Sequence, residues 1–403
     1  MIKACNVLKI LAAGSHTLLF LLATAQASTP IHLDSPGKVQ RVTLALDDAG
    51  AVLYSATFRN EPILKPSRIG LQMDAAADLD AGFKILRQEN SRQRGKLETR
   101  LGERAAVEYE FNELVLTLRQ SGTGRSLRLV FRAFDEAIAF RYEIPKQKGV
   151  ERFAIAGELT EFRMSPEATA FSERGHEGKY VEKPVGEIDE RCELPLLIRH
   201  ATAGLVHAIL QADAWDYSRR FLKPTGRTGA IGVKLANQVK AAGGFVTPWF
   251  IVTTAESPGS LIEANYIRDA LVEMRQPEPD WIVPGKVIRL VELTTRAGIE
   301  GIDFAVENGL QYVEYDAGWY GNQSDPKVDA TTSIPGLDVP TVCKHGREKG
   351  VGVLLYVNKI HFELQSDQIF PTYQKWGVKG LKFGFEDGRQ KSMEKQVKST
   401  RSK

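Results

Sequence analysis

The chain has 403 residues, 43% apolar and 26% charged, with a formal net charge of +3. This is the composition of a soluble globular protein of two or three domains. So small a charge excess removes any electrostatic argument for a nucleic-acid partner. At the N-terminus, Lys3 and Lys9 form a basic region ahead of an apolar centre, Leu18–Ala23, and Ala25-Gln26-Ala27 forms a small-x-small cleavage site. The apolar run is too short to span a bilayer. Residues 1–27 therefore read as a cleaved signal peptide, and the mature chain is expected in the periplasm or secreted, with no membrane attachment. Cleavage leaves Cys192 and Cys343. They read as two buried thiols, with a disulfide as the alternative in an oxidising compartment.

Residues 28–275 read as a β-sandwich domain. Lys38–Leu46, Ala51–Arg59, Leu114–Leu118, Leu127–Phe134 and Ala137–Ile144 alternate apolar and polar positions. Turns such as Asp47-Asp48-Ala49-Gly50 and Ser121-Gly122-Thr123-Gly124 separate strands of this series. Val233–Val239 and Phe245–Thr253 read as the last strands. Short strands at near-regular spacing predict antiparallel sheets. Leu261–Met274 then has helical periodicity, and Gln276–Pro284 carries three prolines around Trp281, as a linker would.

Residues 276–390 change register to alternating helix and strand. Helices are predicted over Gly298–Asn308, Leu337–Lys349 and Gln368–Trp376. The glycines that follow them, Gly309, Gly350 and Gly377, supply the left-handed stop. Each is followed by an apolar strand: Leu310–Tyr315, Val351–Val357 and Val378–Phe385. Near-continuous apolar strands between helices predict a parallel sheet built of βα units. Polar residues gather where such sheets build their sites, at the strand C-terminal ends. Asp316 and Trp319 follow one strand, Asn358, Lys359 and His361 the next, and Glu386 and Asp387 the third. A carboxylate beside an exposed indole suits a sugar, which needs hydroxyl partners and a stacking face. A complete (β/α)8 barrel uses about 250 residues, and Gly285–Lys403 supplies less than half of that. Residues 391–403 form a basic tail without apolar periodicity.

Five stretches carry a family resemblance: YVEYDAGWYG (312–321), VGVLLYVNK (351–359), WGVKGLKFGF (376–385), HEGKY (176–180) and LQADAWDY (210–217). Together they resemble glycoside hydrolase family 97, the secreted bacterial α-glucosidases and α-galactosidases. The resemblance implies a multidomain β plus α/β fold, with an N-terminal β-supersandwich followed by the first half of a (β/α)8 TIM barrel. It also implies an α-glucosidase-like activity on α-glucosides and malto-oligosaccharides. In the retaining branch of the family an Asp nucleophile ends the fourth barrel strand; in the inverting branch that position is Gly. Here it is Gly384, which implies inversion, where water replaces the enzyme carboxylate at the anomeric carbon. Asp316, Trp319, Asn358, Lys359 and Gly384 are the expected substrate-binding residues.

The inverting branch binds calcium through several glutamates. The match for the one from the sandwich is Glu177, with Glu182 and Glu193 as alternatives. One Glu cannot hold calcium, which takes six to eight oxygens. The resemblance takes the acid and base from later strands, so the catalytic pair is unassigned. After Phe385 the sequence leaves the family pattern at Glu386-Asp387-Gly388-Arg389-Gln390, as a truncated or frame-shifted product would. Such a chain is expected to hydrolyse little. An inactive carbohydrate-binding fragment is the competing reading. A complete open α/β domain of another enzyme is a weaker one, since Leu293–Gly301 holds no G-x-G-x-x-G.

Overall fold

The computed structural model describes residues 29–98, 104–175, 177–202, 204–272 and 282–385. Residues 1–27, read from the sequence as a signal peptide, most of the proline-rich stretch, Glu386, Asp387 and the basic tail lie outside the described residues.

Ile31 to Ala255 contribute three antiparallel sheets of seven, three and ten strands among the described residues. Alternation accounts for the strands that face one core. Val52–Phe58 buries every second residue and pairs in register with Gln40–Leu46. Two central strands break that pattern for a physical reason. Trp249–Ala255 is buried throughout, and Ala137–Ile144 nearly so. Their one face, through Phe140 and Phe250, enters the main core. Their other face, through Ala137, Ala139, Trp249 and Ile251, is covered by Ala264, Ile267 and Leu271. Those three residues come from the segment read as one helix over Leu261–Met274. Instead it forms two short helices, Pro258–Glu263 and Tyr266–Ala270. Between them the amides of Ala264, Asn265 and Ile267 bond three residues back, the tighter 3₁₀ pattern. Other merged readings also divide: Ala230–Leu235 is separate from Val239–Ala241, and Phe245–Val246 from Trp249–Ala255.

A charged pair is sealed inside this domain. Arg220 Nε donates to Glu158 Oε1 at 2.9 Å, and both side chains are 0% exposed. The guanidinium also donates to the Pro248 carbonyl and lies 3.9 Å from the Phe250 ring centroid. Tyr217 donates its hydroxyl proton to the same Glu158 oxygen.

The C-terminal region is a four-stranded parallel sheet in sequential order. Its strands are β1 (Val287–Leu290), β2 (Tyr312–Tyr315), β3 (Gly352–Asn358) and β4 (Gly380–Gly384). The helices between them are α1 (Thr295–Glu307), α2 (Val339–Lys349) and α3 (Lys359–Trp376). Thr294, Asp338 and Asn358 cap their N-termini. Gly309, Gly350 and Gly377 take φ of 64°, 74° and 88° after their C-termini, as the sequence predicts. Helix α3 begins nine residues earlier than its periodicity indicates. Strand β3 passes straight into it, with Asn358 ending one and capping the other. Sequential parallel order is that of consecutive βα units; barrel closure involves no described strand.

Pleating divides this sheet into two faces. Val313, Tyr315, Val353, Leu355 and Val357 pack with Ile302, Ala305, Val342, Phe362 and Ile369 of the helices. The alternate positions, Arg289, Glu314, Asp316, Tyr356, Asn358, Lys382 and Gly384, belong to the opposite face. Cys192 and Cys343 are both free and buried. Among the described residues no helix is long and apolar enough to cross a membrane.

Candidate functional site

The polar face of the parallel sheet concentrates charge at its C-terminal edge. Asp316 directly follows β2 and is 8% exposed. Its Oδ2 lies 3.0 Å from Lys382 Nζ on β4 and 3.0 Å from Arg289 Nε on β1. Its Oδ1 accepts the Ala317 N–H at 2.8 Å. Burial pushes the Asp316 carboxyl upward, but Lys382, the Ala317 amide and Arg289 outweigh it and hold the group below its ordinary value. Lys382 also lies 3.4 Å from Glu314 Oε1. The Asp316 hydrogen bond raises the Lys382 ammonium above its ordinary value, with Glu314 adding to it. Two carboxylates thus share one ammonium. That arrangement offers hydrogen-bond acceptors and a donor suited to hydroxyls; it does not provide the separated acid and base of an inverting hydrolase, about 6.5–9.5 Å apart.

Asn358 and Tyr356 stand beside this cluster. Asn358 Nδ2 donates to the Tyr356 hydroxyl at 3.3 Å, and the Asn358 N–H donates to Tyr320 Oη at 3.1 Å. Tyr320 Oη in turn lies 3.2 Å from His361 Nδ1, whose other nitrogen lies 2.9 Å from the Asp325 carbonyl. The Asp325 carbonyl can only accept, so His361 Nε2 carries the proton it donates there, and in that tautomer Nδ1 accepts from the Tyr320 hydroxyl. This chain fastens the 316–330 loop to the start of α3. Lys359 opens α3 and is 8% exposed. Gly384 faces Asn358 across the β3–β4 ladder, and a β-carbon on it would fall inside the Tyr356 ring.

Trp319, read from the sequence as a stacking platform for a sugar, is instead 0% exposed. Its Nε1 donates to the Tyr356 carbonyl at 2.7 Å. Tyr320, Tyr373 and Trp376 surround it with ring centroids at 5.1, 5.8 and 6.4 Å. The indole is a core element locking the loop after β2 to β3 and α3, and neither face is open to a ligand.

The three glutamates considered for calcium do not converge. Glu177 is exposed. Glu182 is exposed and pairs with Arg199 at 3.2 Å. Glu193 is nearly buried; Arg219 holds its Oε2 at 2.6 Å, and its Oε1 accepts the Gly175 N–H at 3.4 Å. Glu173 accepts the Gly178 N–H at 2.8 Å. Glu173 and Glu193 thus shape the loop that presents Glu177. Among the described residues no three His, Cys, Asp or Glu side chains group closely enough to hold a metal ion. The described residues alone do not fit calcium.

Arg289, Glu314, Tyr356 and Lys382 were not read from the sequence as site residues. The signal was period two: Glu314 precedes Asp316 by two, Tyr356 precedes Asn358 by two, and Lys382 precedes Gly384 by two. Each partner therefore shares a face with a residue already singled out.

A parallel sheet with ion-paired polar side chains at its C-terminal edge, following a large antiparallel β-domain, is the plan of a multidomain protein with a candidate α/β site. Comparison with known families makes this particular. The Glycosyl-hydrolase 97 N-terminal model matches residues 33–273 and the Glycoside hydrolase 97 model matches residues 288–402. The chain belongs to glycoside hydrolase family 97.

A protein from Streptomyces bingchenggensis described as a probable retaining α-galactosidase is 25% identical, over 92% of this chain and 62% of the relative. The retaining α-galactosidase of Bacteroides thetaiotaomicron is 22% identical over the same shares. The chain thus spans about three fifths of the curated relatives it matches. Among solved structures, a family 97 enzyme from Pseudoalteromonas sp. strain K8 superposes with a TM-score of 0.82 at 23% identity, over 92% of this chain and 64% of that one. Structures of that enzyme contain panose or acarbose. A β-arabinopyranosidase superposes with a TM-score of 0.80 at 18% identity. These likenesses establish the fold.

Proposed function

We propose that the polar edge of the parallel sheet is the sugar site of an α-glycoside hydrolase of the inverting type, acting on α-glucosides such as malto-oligosaccharides. The observation that carries the reading is Asp316, ion-paired to Lys382 and Arg289 beside a strand end where Gly384 withholds a side chain. Asp316 stays ionised and accepts sugar hydroxyls, and Lys382 donates to a neighbouring oxygen. A charge-assisted hydrogen bond of this kind contributes about 1.5–3 kcal/mol. Gly384 has no carboxylate to attack an anomeric carbon. No covalent sugar–enzyme bond is therefore assigned to this position, and the Tyr356 ring fills the space a side chain there would take. Both curated relatives are described as retaining α-galactosidases, so galactosides are the second substrate class to test.

Calcium belongs to the proposal only as an ion to which Glu177 lends one oxygen, and no step is assigned to it. The leader-like residues 1–27 support export to the periplasm or beyond. N-terminal sequencing of the protein from a periplasmic fraction tests this by finding Ser28 first.

The central test is calorimetric titration of the purified 403-residue chain with malto-oligosaccharide, with calcium and with a chelator, beside Asp316→Ala. Binding by the unaltered chain and a loss of about ten-fold or more in the variant are expected. No binding by the unaltered chain refutes the site. Where the chain also cleaves an aryl α-glucoside or α-galactoside, the first product is expected to be the β-anomer. An α-anomer appearing first overturns inversion.

A further inference from the structure

The Asn358 amide is fixed by its surroundings. Its Oδ1 accepts the Ile360 N–H at 3.0 Å as the cap of α3. The amide nitrogen must then face Tyr356, and it lies 3.3 Å from the phenol oxygen. An amide NH2 can only donate, so the Tyr356 oxygen is an acceptor in that bond. Its own proton has to point elsewhere, and among the described residues no acceptor takes it. Burial raises the phenol above its ordinary value, so it keeps that proton at neutral pH. The ring meanwhile occupies the space that a side chain on Gly384 would fill. Tyr356 is itself 3% exposed and packs in the apolar cluster of this sheet, so the result is a nearly buried hydroxyl donor beside Gly384, on the sheet face that carries Asp316 and Lys382.

We propose that Tyr356 is a ligand-contacting donor: its hydroxyl proton goes to an oxygen of the bound α-glycoside on the side where Gly384 withholds a side chain. Asn358 is its positioning residue, not a sugar ligand. The glycine and the tyrosine form one unit, since any side chain at 384 displaces the phenol. The inference rests on the sugar-site reading above and adds the residue that replaces the missing carboxylate.

Tyr356→Phe removes the hydroxyl and keeps the ring. Titration with malto-oligosaccharide is expected to show affinity reduced about three- to ten-fold, with a cooperative unfolding transition retained and its midpoint lowered only by the lost Asn358 hydrogen bond. Asn358→Asp keeps the cap oxygen but offers the phenol an acceptor, which recaptures its proton. It is expected to weaken binding by a similar factor, and the double variant is expected to be no weaker than Tyr356→Phe alone. Unchanged affinity in Tyr356→Phe, with the unaltered chain binding normally, overturns the proposal and leaves the sugar site standing. Full additivity of the two substitutions removes the positioning role of Asn358. Failure of the unaltered chain to bind sugar refutes the site itself, and the proposal with it.

Discussion

Two of the ion-paired groups in this chain, one in each region, differ in surroundings and so in work. In the sandwich, Glu158 and Arg220 are sealed at 0% exposure between aromatic rings and backbone carbonyls. In the parallel sheet, Asp316 is nearly buried, but its partners Lys382 and Arg289 are 49% and 64% exposed. The sealed pair has no room for a ligand. Each member serves the other, because an unpartnered charge in an apolar interior is costly. The open cluster keeps a carboxylate ionised while its cations reach solvent, the condition for exchanging water for a sugar hydroxyl. Similar residue types thus act as internal structure in one region and as a candidate binding surface in the other.

Three substitutions break or sharpen this contrast. The largest effect belongs to the sealed pair. Arg220→Met strands the Glu158 charge and is expected to lower unfolding free energy by about 3–5 kcal/mol. Denaturant titration checks it, and adding Glu158→Leu should recover most of the loss. A cost below about 1 kcal/mol for the single change would remove the distinction between the two groups.

Acid stability comes next. His207 is fully buried, and burial, followed by the neighbouring His200, lowers its pKa to about 3. The unfolded chain, near 6.5, takes up the proton that the folded chain refuses. Stability from this residue is therefore complete above pH 6.5 and is lost as pH falls toward 3, at up to about 1.4 kcal/mol per pH unit. His207→Gln should flatten the pH dependence of denaturant-derived stability in that window; an unchanged slope would rule the residue out.

The smallest stability effect is expected in the open cluster. Lys382→Met should change unfolding free energy by under about 1 kcal/mol, since its ammonium is half exposed. Without that cation the Asp316 pKa rises. Sugar binding should then be lost at a higher pH on acidification than in the unaltered chain, as followed by titration across pH.

Much of the architecture is legible along the chain. Period-two runs such as Val52–Phe58 mark half-buried strands, and three helix-ending glycines mark the βα units. Asp316 was readable because it ends an apolar strand at a glycine turn. Trp319 was misread because the same turn composition suits either an exposed platform or a folded-back core residue. Its burial depends on Tyr373 and Trp376, more than fifty positions later. Lys382 and Arg289 were missed because strands elsewhere bear such residues on solvated faces without consequence. Only the sequential parallel order brings β1, β2 and β4 to one carboxylate.

Local preferences are short-range. Alternation, caps and the left-handed conformation of glycine depend on neighbours within a few positions, so they could be written down from composition and spacing alone. The family pattern, including the glycine at 384, is likewise a property of order along the chain. Partnership is long-range. Whether Asn358 accepts or donates, whether the Tyr356 proton is free, and whether an indole is surface or core depend on side chains delivered by distant strands and helices. Those contacts arise only when the sheet is assembled, because burial and hydrogen-bond geometry are set by what fills the space around a residue.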